Sequence, residues 1–162
     1  VKVRPGKWGQ QIIGSSLENW YKFDDKLYRS EQPDEDAMKE LEAFGIKNIL
    51  NLRNHHDDND EAEGRSLTLQ HIKMNAGSIT EQHIIKALKV IKASKGPVLV
   101  HCWHGSDRTG TICAAYRIAI QEWSVDDAVD ELVNGGYGYH SIYKNIPKLL
   151  KSMNWADLKK KL

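Results

Sequence analysis

Residues 98–110 read Val-Leu-Val-His-Cys-Trp-His-Gly-Ser-Asp-Arg-Thr-Gly, and this stretch decides the fold. A β-branched run ends in His101-Cys102. A tight polar loop follows, then Arg108-Thr109-Gly110 and a long apolar segment of helical length. A strand, a short loop and a helix N-terminus together make a cradle for an anion. Cys102 at one end of the loop is the candidate nucleophile. The N–H groups of residues 103–108 are placed to converge on three phosphate oxygens. Arg108 is placed to clamp two of those oxygens with its planar fork, which a lysine cannot do. Helix N-termini and nearby cations lower a thiol pKa from about 8.5 to roughly 3.5–7.5, so the setting favours a reactive thiolate. The Thr109 hydroxyl is placed to donate to that sulfur. His101 reads as a residue that orients the loop, because an ionised thiol needs no base.

Working outward, strands alternate with helices. Leu27-Tyr28 begins a short strand. Ser30–Phe44 reads as a helix, with Pro33 near its first turn, acids at its start and Gly45 as its stop. Ile46–Leu52 and Leu67–Met74 read as strands joined by a polar, acidic loop over residues 53–65. Ser78-Ile-Thr-Glu81 matches a capping box that opens a helix running to Ser94, and Gly96-Pro97 ends it. Thr109–Trp123 is apolar nearly all round and reads as a buried helix. Ser124-Val-Asp-Asp127 starts another helix, to Val133. Gly135-Gly136-Tyr137-Gly138 is a turn. Ser141–Met153 reads as a helix with a kink or break at Pro147, and Asn154–Leu162 as a short terminal helix. The class is α/β: a single domain with a central, largely parallel sheet flanked by helices. The loop lies at a strand's C-terminal end, where such sheets bind ligands. Residues 1–25 show no periodicity and read as an arm packed on a domain of residues 26–162.

Bulk properties narrow the function. The chain has 162 residues, 40% hydrophobic and 28% charged, with a net charge of +1. That is ordinary for a globular domain and gives no general attraction to nucleic acid or to a membrane surface. No apolar run is long enough to span a membrane. Of the two cysteines, Cys113 lies in the apolar helical segment and reads as core packing. No zinc-cysteine motif or disulfide framework exists. His55-His56-Asp57-Asp58 is a weak metal pattern, because adjacent histidines in a polar loop are seldom ligands. We expect no metal and no cofactor. The opening Val1 fits either a removed leader or a trimmed sequence.

Residues 101–110 resemble the His-Cys-x5-Arg-[Ser/Thr]-Gly loop of the cysteine-dependent protein tyrosine phosphatase superfamily. The stretches Leu27-Tyr28-Arg29-Ser30-Glu31-Gln32-Pro33 and Gly45-Ile46-Lys47-Asn48-Ile49-Leu50-Asn51-Leu52-Arg53 are similar to the front half of its compact atypical dual-specificity members. The glycine-rich turn at 135–138 is similar to secreted bacterial members, and the Trp-rich start resembles exported ones. The resemblance implies the dual-specificity-like fold, a phosphomonoesterase working through a cysteinyl-phosphate, and a periplasmic or secreted bacterial protein, otherwise a cytoplasmic one. Cys102 and Arg108 are then catalytic. Trp103, His104, Gly105, Ser106 and Thr109 bind phosphate, with His101 in support. Rhodanese-type sulfur transfer would not need the closing Arg-Thr-Gly. A nucleotide P-loop is excluded, since no Gly-Lys-[Ser/Thr] follows a glycine-rich loop.

Two questions stay open in the sequence. The first is the acid. Most members take it from an Asp on a separate loop, yet residues 62–77 contain no Asp, and their only acid is Glu63. Asp107, directly before Arg108, is similar to an Asp proposed as acid in triple-specificity phosphatases and myotubularins, and takes the role here. The alternative is that it only braces the loop. The second is the substrate, a phosphorylated small molecule or a phosphoprotein. Relatives of this build act on inositol polyphosphates, as do the phytases of this fold. Arg53, His55, His56, His104, Lys73 and Lys144 are candidates to meet extra phosphates. The acids from Asp57 to Glu63 would oppose a polyanion if they sat at the mouth. The reading leans to inositol phosphates. Its rivals are a protein tyrosine or dual-specificity phosphatase and a non-catalytic phosphate-binding module. A monomer is expected.

Overall fold

The computed structural model describes residues 3–162. Its centre is a six-stranded sheet: β1 (Gln10–Gln11), β2 (Tyr21–Lys22), β3 (Leu27–Ser30), β4 (Asn48–Asn51), β5 (Thr68–His71) and β6 (Val98–His101). The order is β1-β2-β3-β6-β4-β5. The four strands β3, β6, β4 and β5 pair in parallel, while β1–β2 and β2–β3 are antiparallel. Residues 3–25, the described part of the N-terminal arm, contribute strands to the sheet. Within them β1 forms the sheet edge and β2 joins it to β3, each strand two residues long and too short for alternation to be legible.

The helices are α1 (Glu35–Phe44), α2 (Glu81–Ala93), α3 (Asp107–Ala119), α4 (Val125–Asn134), α5 (Asn145–Ser152) and α6 (Trp155–Lys160). Alternation along β6 sorts the core into two clusters. Val98 and Val100 join Leu27, Leu50 and the apolar faces of α2 to α6 on one side of the sheet. Leu99 joins Tyr28, Ile49, Trp20 and α1 on the other. The central helix α3 is buried along all its length except Arg108. Among the described residues no helix is long and apolar enough to cross a membrane.

Several helix starts differ from the sequence reading. Ser30 ends β3, and α1 begins only after Asp34, whose carboxylate accepts from the Ala37 N–H at 2.8 Å. Ser78 belongs to a 3₁₀ turn, Ala76–Ser78. The capping box of α2 is instead Thr80 with His83: the His83 N–H donates to the Thr80 hydroxyl at 3.3 Å, and the Thr80 N–H donates to His83 Nδ1 at 3.0 Å. Imidazole does there what Glu does in the usual box. α3 begins at Asp107, two residues earlier than expected. Pro147 kinks nothing. It sits in the first turn of α5, where the missing N–H has no intrahelical partner to lose.

Candidate active site

Parallel register sets Ser30, His101 and Asn51 side by side at the C-terminal ends of β3, β6 and β4. The loop 102–106 leaves the sheet there and runs directly into α3. Each of its carbonyls is taken by a donor outside the loop. The Cys102 carbonyl lies 3.0 Å from His101 Nδ1, and the Trp103 carbonyl accepts from the Gln32 N–H at 3.0 Å. The His104 carbonyl accepts from Asn19 Nδ2 at 3.0 Å, and the Gly105 carbonyl from the Arg29 guanidinium at 2.7 Å. A trans peptide points its C=O and the following N–H in opposite directions. The N–H groups of residues 103–106 therefore face inward together, and among the described residues none of them donates to the protein. They form a nest for an anion, with the α3 N-terminus adding its dipole.

Gly105 makes this path possible. Its φ is +75°, and a Cβ there would lie 2.7 Å from the Glu31 nitrogen and closer still to the Ser30 carbonyl. The cavity over the loop has a volume of about 330 Å³ and is lined by Cys102, Trp103, His104, Ser106, Asp107 and Arg108, with Ala76, His140, Ile142 and Tyr143 closing its rim. Cys102 is a free thiol at its floor, 3% exposed. Arg108 is half-buried and tied to the Met74 carbonyl at 3.3 Å. Cys113 sits in the core, where burial pushes its thiol up to about 11, so it is inert.

Other expected residues lie elsewhere or do something else. The Thr109 hydroxyl is buried without a hydrogen-bond partner, so the expected bond to the Cys102 sulfur is not made. His101 is fully buried and held at both ends. Its Nε2 lies 2.6 Å from Asp58 Oδ2, opposite the Nδ1 contact with the Cys102 carbonyl. Burial works to raise the Asp58 carboxyl, but hydrogen bonds from His101 and Gln32 outweigh it and leave it below the usual range. Arg53 reaches the rim, stacked over the exposed Trp103 at 4.6 Å. His104 stacks on the same ring, the centroids 5.9 Å apart. His55, Lys73 and Lys144 are exposed and do not line the cavity.

His56, Asp58 and Glu61 bring ligand-type atoms within 4.8 Å of one another. They already serve each other and the site: His56 pairs with Glu61 at 2.9 Å, and Asp58 with His101 and Gln32.

Sequence reasoning missed His140. The Asp107 carboxylate is gripped by it twice: Oδ1 accepts from the His140 main-chain N–H at 2.8 Å, and Oδ2 lies 2.6 Å from its Nδ1. The turn that carries His140 is anchored to the loop, since the Tyr137 carbonyl accepts from the Ser106 hydroxyl and from Asn19 Nδ2, both at 2.8 Å. Gly138 permits the contact. Its φ is +86°, and a Cβ would sit 2.9 Å from Ser106 Oγ. The available signal was the glycine-rich turn two residues before His140.

A thiol on the floor of an amide nest, with an arginine across from it, defines the cysteine-dependent phosphatases. Residues 16–138 match the family described as the tyrosine phosphatase family. The chain belongs to that family. It is 30% identical over 139 residues to the dual specificity protein phosphatase TpbA of Pseudomonas aeruginosa, a match covering 84% of this chain and 62% of that protein. The chain thus spans under two thirds of that relative's length. A crystal structure of P. aeruginosa TpbA superposes with a TM-score of 0.88 at 26% identity, covering 98% of both chains. Inositol diphosphatase DSP5 of Arabidopsis thaliana is 28% identical over 128 residues, covering 70% of this chain and 59% of that protein. The catalytic core of the S. cerevisiae PP-IP phosphatase SIW14 shares the fold, with a TM-score of 0.74 at 22% identity over 89% of this chain and 90% of that one.

Proposed function

We propose that this domain hydrolyses phosphate monoesters through a cysteinyl-phosphate, with phosphotyrosine and related protein phosphates as its preferred esters. The inward-facing amides of residues 103–106 above Cys102 carry the reading. They and Arg108 hold the equatorial oxygens, whose charge persists through the loose transition state. The Cys102 sulfur attacks in line with the leaving oxygen. That oxygen takes a proton from the Asp107–His140 pair. Water then attacks the cysteinyl-phosphate and frees the thiolate.

The rim supports an aryl ester. Trp103, Tyr143 and Ile142 offer a phenyl ring faces to rest on, and the lysines a polyphosphate would want lie off the lining. The dual-specificity relative points the same way. Inositol polyphosphates, the reading the sequence leaned to, become the second reading. Arg53 and His104 beside Trp103 favour it, as does the relative named an inositol diphosphatase. The test is phosphate release from a phosphotyrosine peptide and from inositol hexakisphosphate in parallel, with Cys102→Ser as the blank. Release from the peptide alone is expected. Release from the inositol phosphate alone would reverse the substrate order. Release from neither, with phosphate still bound, would make the domain a binding module.

A further inference from the structure

A general acid must stand within hydrogen-bond reach of the leaving oxygen with a proton to give. The segment after β5 that overhangs the cavity, residues 72–78, contains Lys73, Asn75 and Ser78 but no carboxylic acid. Among the described residues Asp107 is the one carboxyl on the cavity wall, and it is 8% exposed. Both of its oxygens are engaged by His140, one with the main-chain N–H and one with the ring. Each oxygen spends a lone pair on His140, so the carboxylate is turned toward that residue and serves it as an acceptor.

The ring has what the carboxylate lacks. Its Nδ1 faces the Asp107 carboxylate, which fixes the orientation, and among the described residues Nε2 has no protein partner. The side chain is about half exposed and lines the same cavity as Cys102 and Arg108. The ring is packed between His104 and Tyr143, with centroids 6.0 and 6.4 Å away. Its backbone is pinned through Tyr137 to the loop it would serve. A carboxylate behind one ring nitrogen and an open cavity before the other is the arrangement in which imidazole moves protons.

Building on the phosphatase reading, we propose that His140 is the catalytic acid and base, acting through Nε2, and that Asp107 is the positioning residue behind it. In the first step the sulfur's electron pair forms the S–P bond. The P–O bond breaks, its pair goes to the leaving oxygen, and that oxygen takes the Nε2 proton, leaving neutral imidazole. In the second step water bonds to phosphorus and gives a proton to Nε2. The S–P bond breaks, and its pair returns to sulfur.

The test is kcat/KM over a series of phosphate esters, from acidic nitrophenols to the tyrosine phenol, whose pKa is about 10. The proteins are the parent, Cys102→Ser, His140→Gln, Asp107→Asn and the double variant His140→Gln/Asp107→Asn. Binding of inorganic phosphate reports that the loop is intact. Loss of a proton donor costs poor leaving groups about 10²–10³-fold. His140→Gln is therefore expected to lose that factor on tyrosyl phosphate, under about threefold on the most acidic phenol, and to bind phosphate unchanged. The double variant is expected to be no worse than His140→Gln. A uniform loss across the series, or a steep dependence in Asp107→Asn with none in His140→Gln, would overturn the assignment and leave the phosphatase reading standing. If the parent turns over no ester, that reading fails and this one with it.

Discussion

Glu131→Ala removes a side chain that, among the described residues, accepts hydrogen bonds from three others. Glu131 is 2% exposed, and its carboxylate accepts four hydrogen bonds. Two come from Arg117 at 2.7 and 3.0 Å, one from the Tyr137 hydroxyl at 2.6 Å and one from the Gly9 N–H at 2.7 Å. Arg117 cannot follow the lost charge into water. It is 2% exposed, and its guanidinium lies 3.9 Å from the Phe23 ring centre and 4.1 Å from that of Trp123. An unpaired buried charge costs about 3–5 kcal/mol, and each orphaned buried donor about 1–3 kcal/mol. Water entering the vacated space offsets part of this, so the loss is about 4–6 kcal/mol, a large share of the 5–15 kcal/mol typical of a domain. Tm should fall by roughly 8–24 °C, at about 2–4 °C per kcal/mol for a chain of this size. Urea unfolding followed by tryptophan fluorescence measures it, and the midpoint should fall at constant slope. Arg117→Met/Glu131→Leu, which removes both charges, should recover at least half of the loss. A single variant within about 1 kcal/mol of the parent, or a double variant no better than the single, would refute the argument.

Asp58→Asn tests the other buried pair by its pH dependence. The carboxyl is lowered in the fold, so its contribution is complete above its unfolded pKa and fades as pH falls through the folded one. The stability gap between parent and variant should be constant above about pH 5 and close below about pH 4, and a gap that widened in acid would be wrong in sign. Gly105→Ala meets a positive φ costing about 1–2 kcal/mol and a backbone clash costing about 1–3 kcal/mol, so chemical denaturation should report a loss of about 2–5 kcal/mol. Phosphate binding should be lost with it. Trp103→Ala should raise KM for a phosphotyrosine peptide by about threefold to tenfold, the worth of one aromatic contact, without raising it for inositol hexakisphosphate.

The parts of this molecule legible from its sequence are those whose signals are local. The run Val98–His101, the loop that follows it and the all-round apolar α3 announce a strand, an anion cradle and a buried helix by composition alone. Capping was legible in kind but not in place, because Ser78 and Glu81 satisfy the usual pattern while Thr80 and His83 make the bonds. Pro33 and the acids after it mark a helix start without fixing its first residue: Ser30 is the buried end of β3, and the helix waits for Asp34, past the proline. The contributions of Asp58, Asn19 and His140 to the loop were illegible for one reason. Each reaches it across a distance in sequence that no motif spans, and tertiary packing alone brings them in.

Asn19 gives that distance a meaning in time. Its side-chain amide holds the His104, Gly105 and Tyr137 carbonyls at once, across 85, 86 and 118 residues. A ribosome adding about 5–20 residues per second delivers Tyr137 roughly 6–24 s after Asn19. Until then the cradle lacks its full brace, and until Val98–His101 has been made β3 has no β6 beside it and stands open to other chains. The reactive loop is thus assembled late by construction: a nascent chain carries the cysteine well before it carries the turn that shapes the cysteine's surroundings.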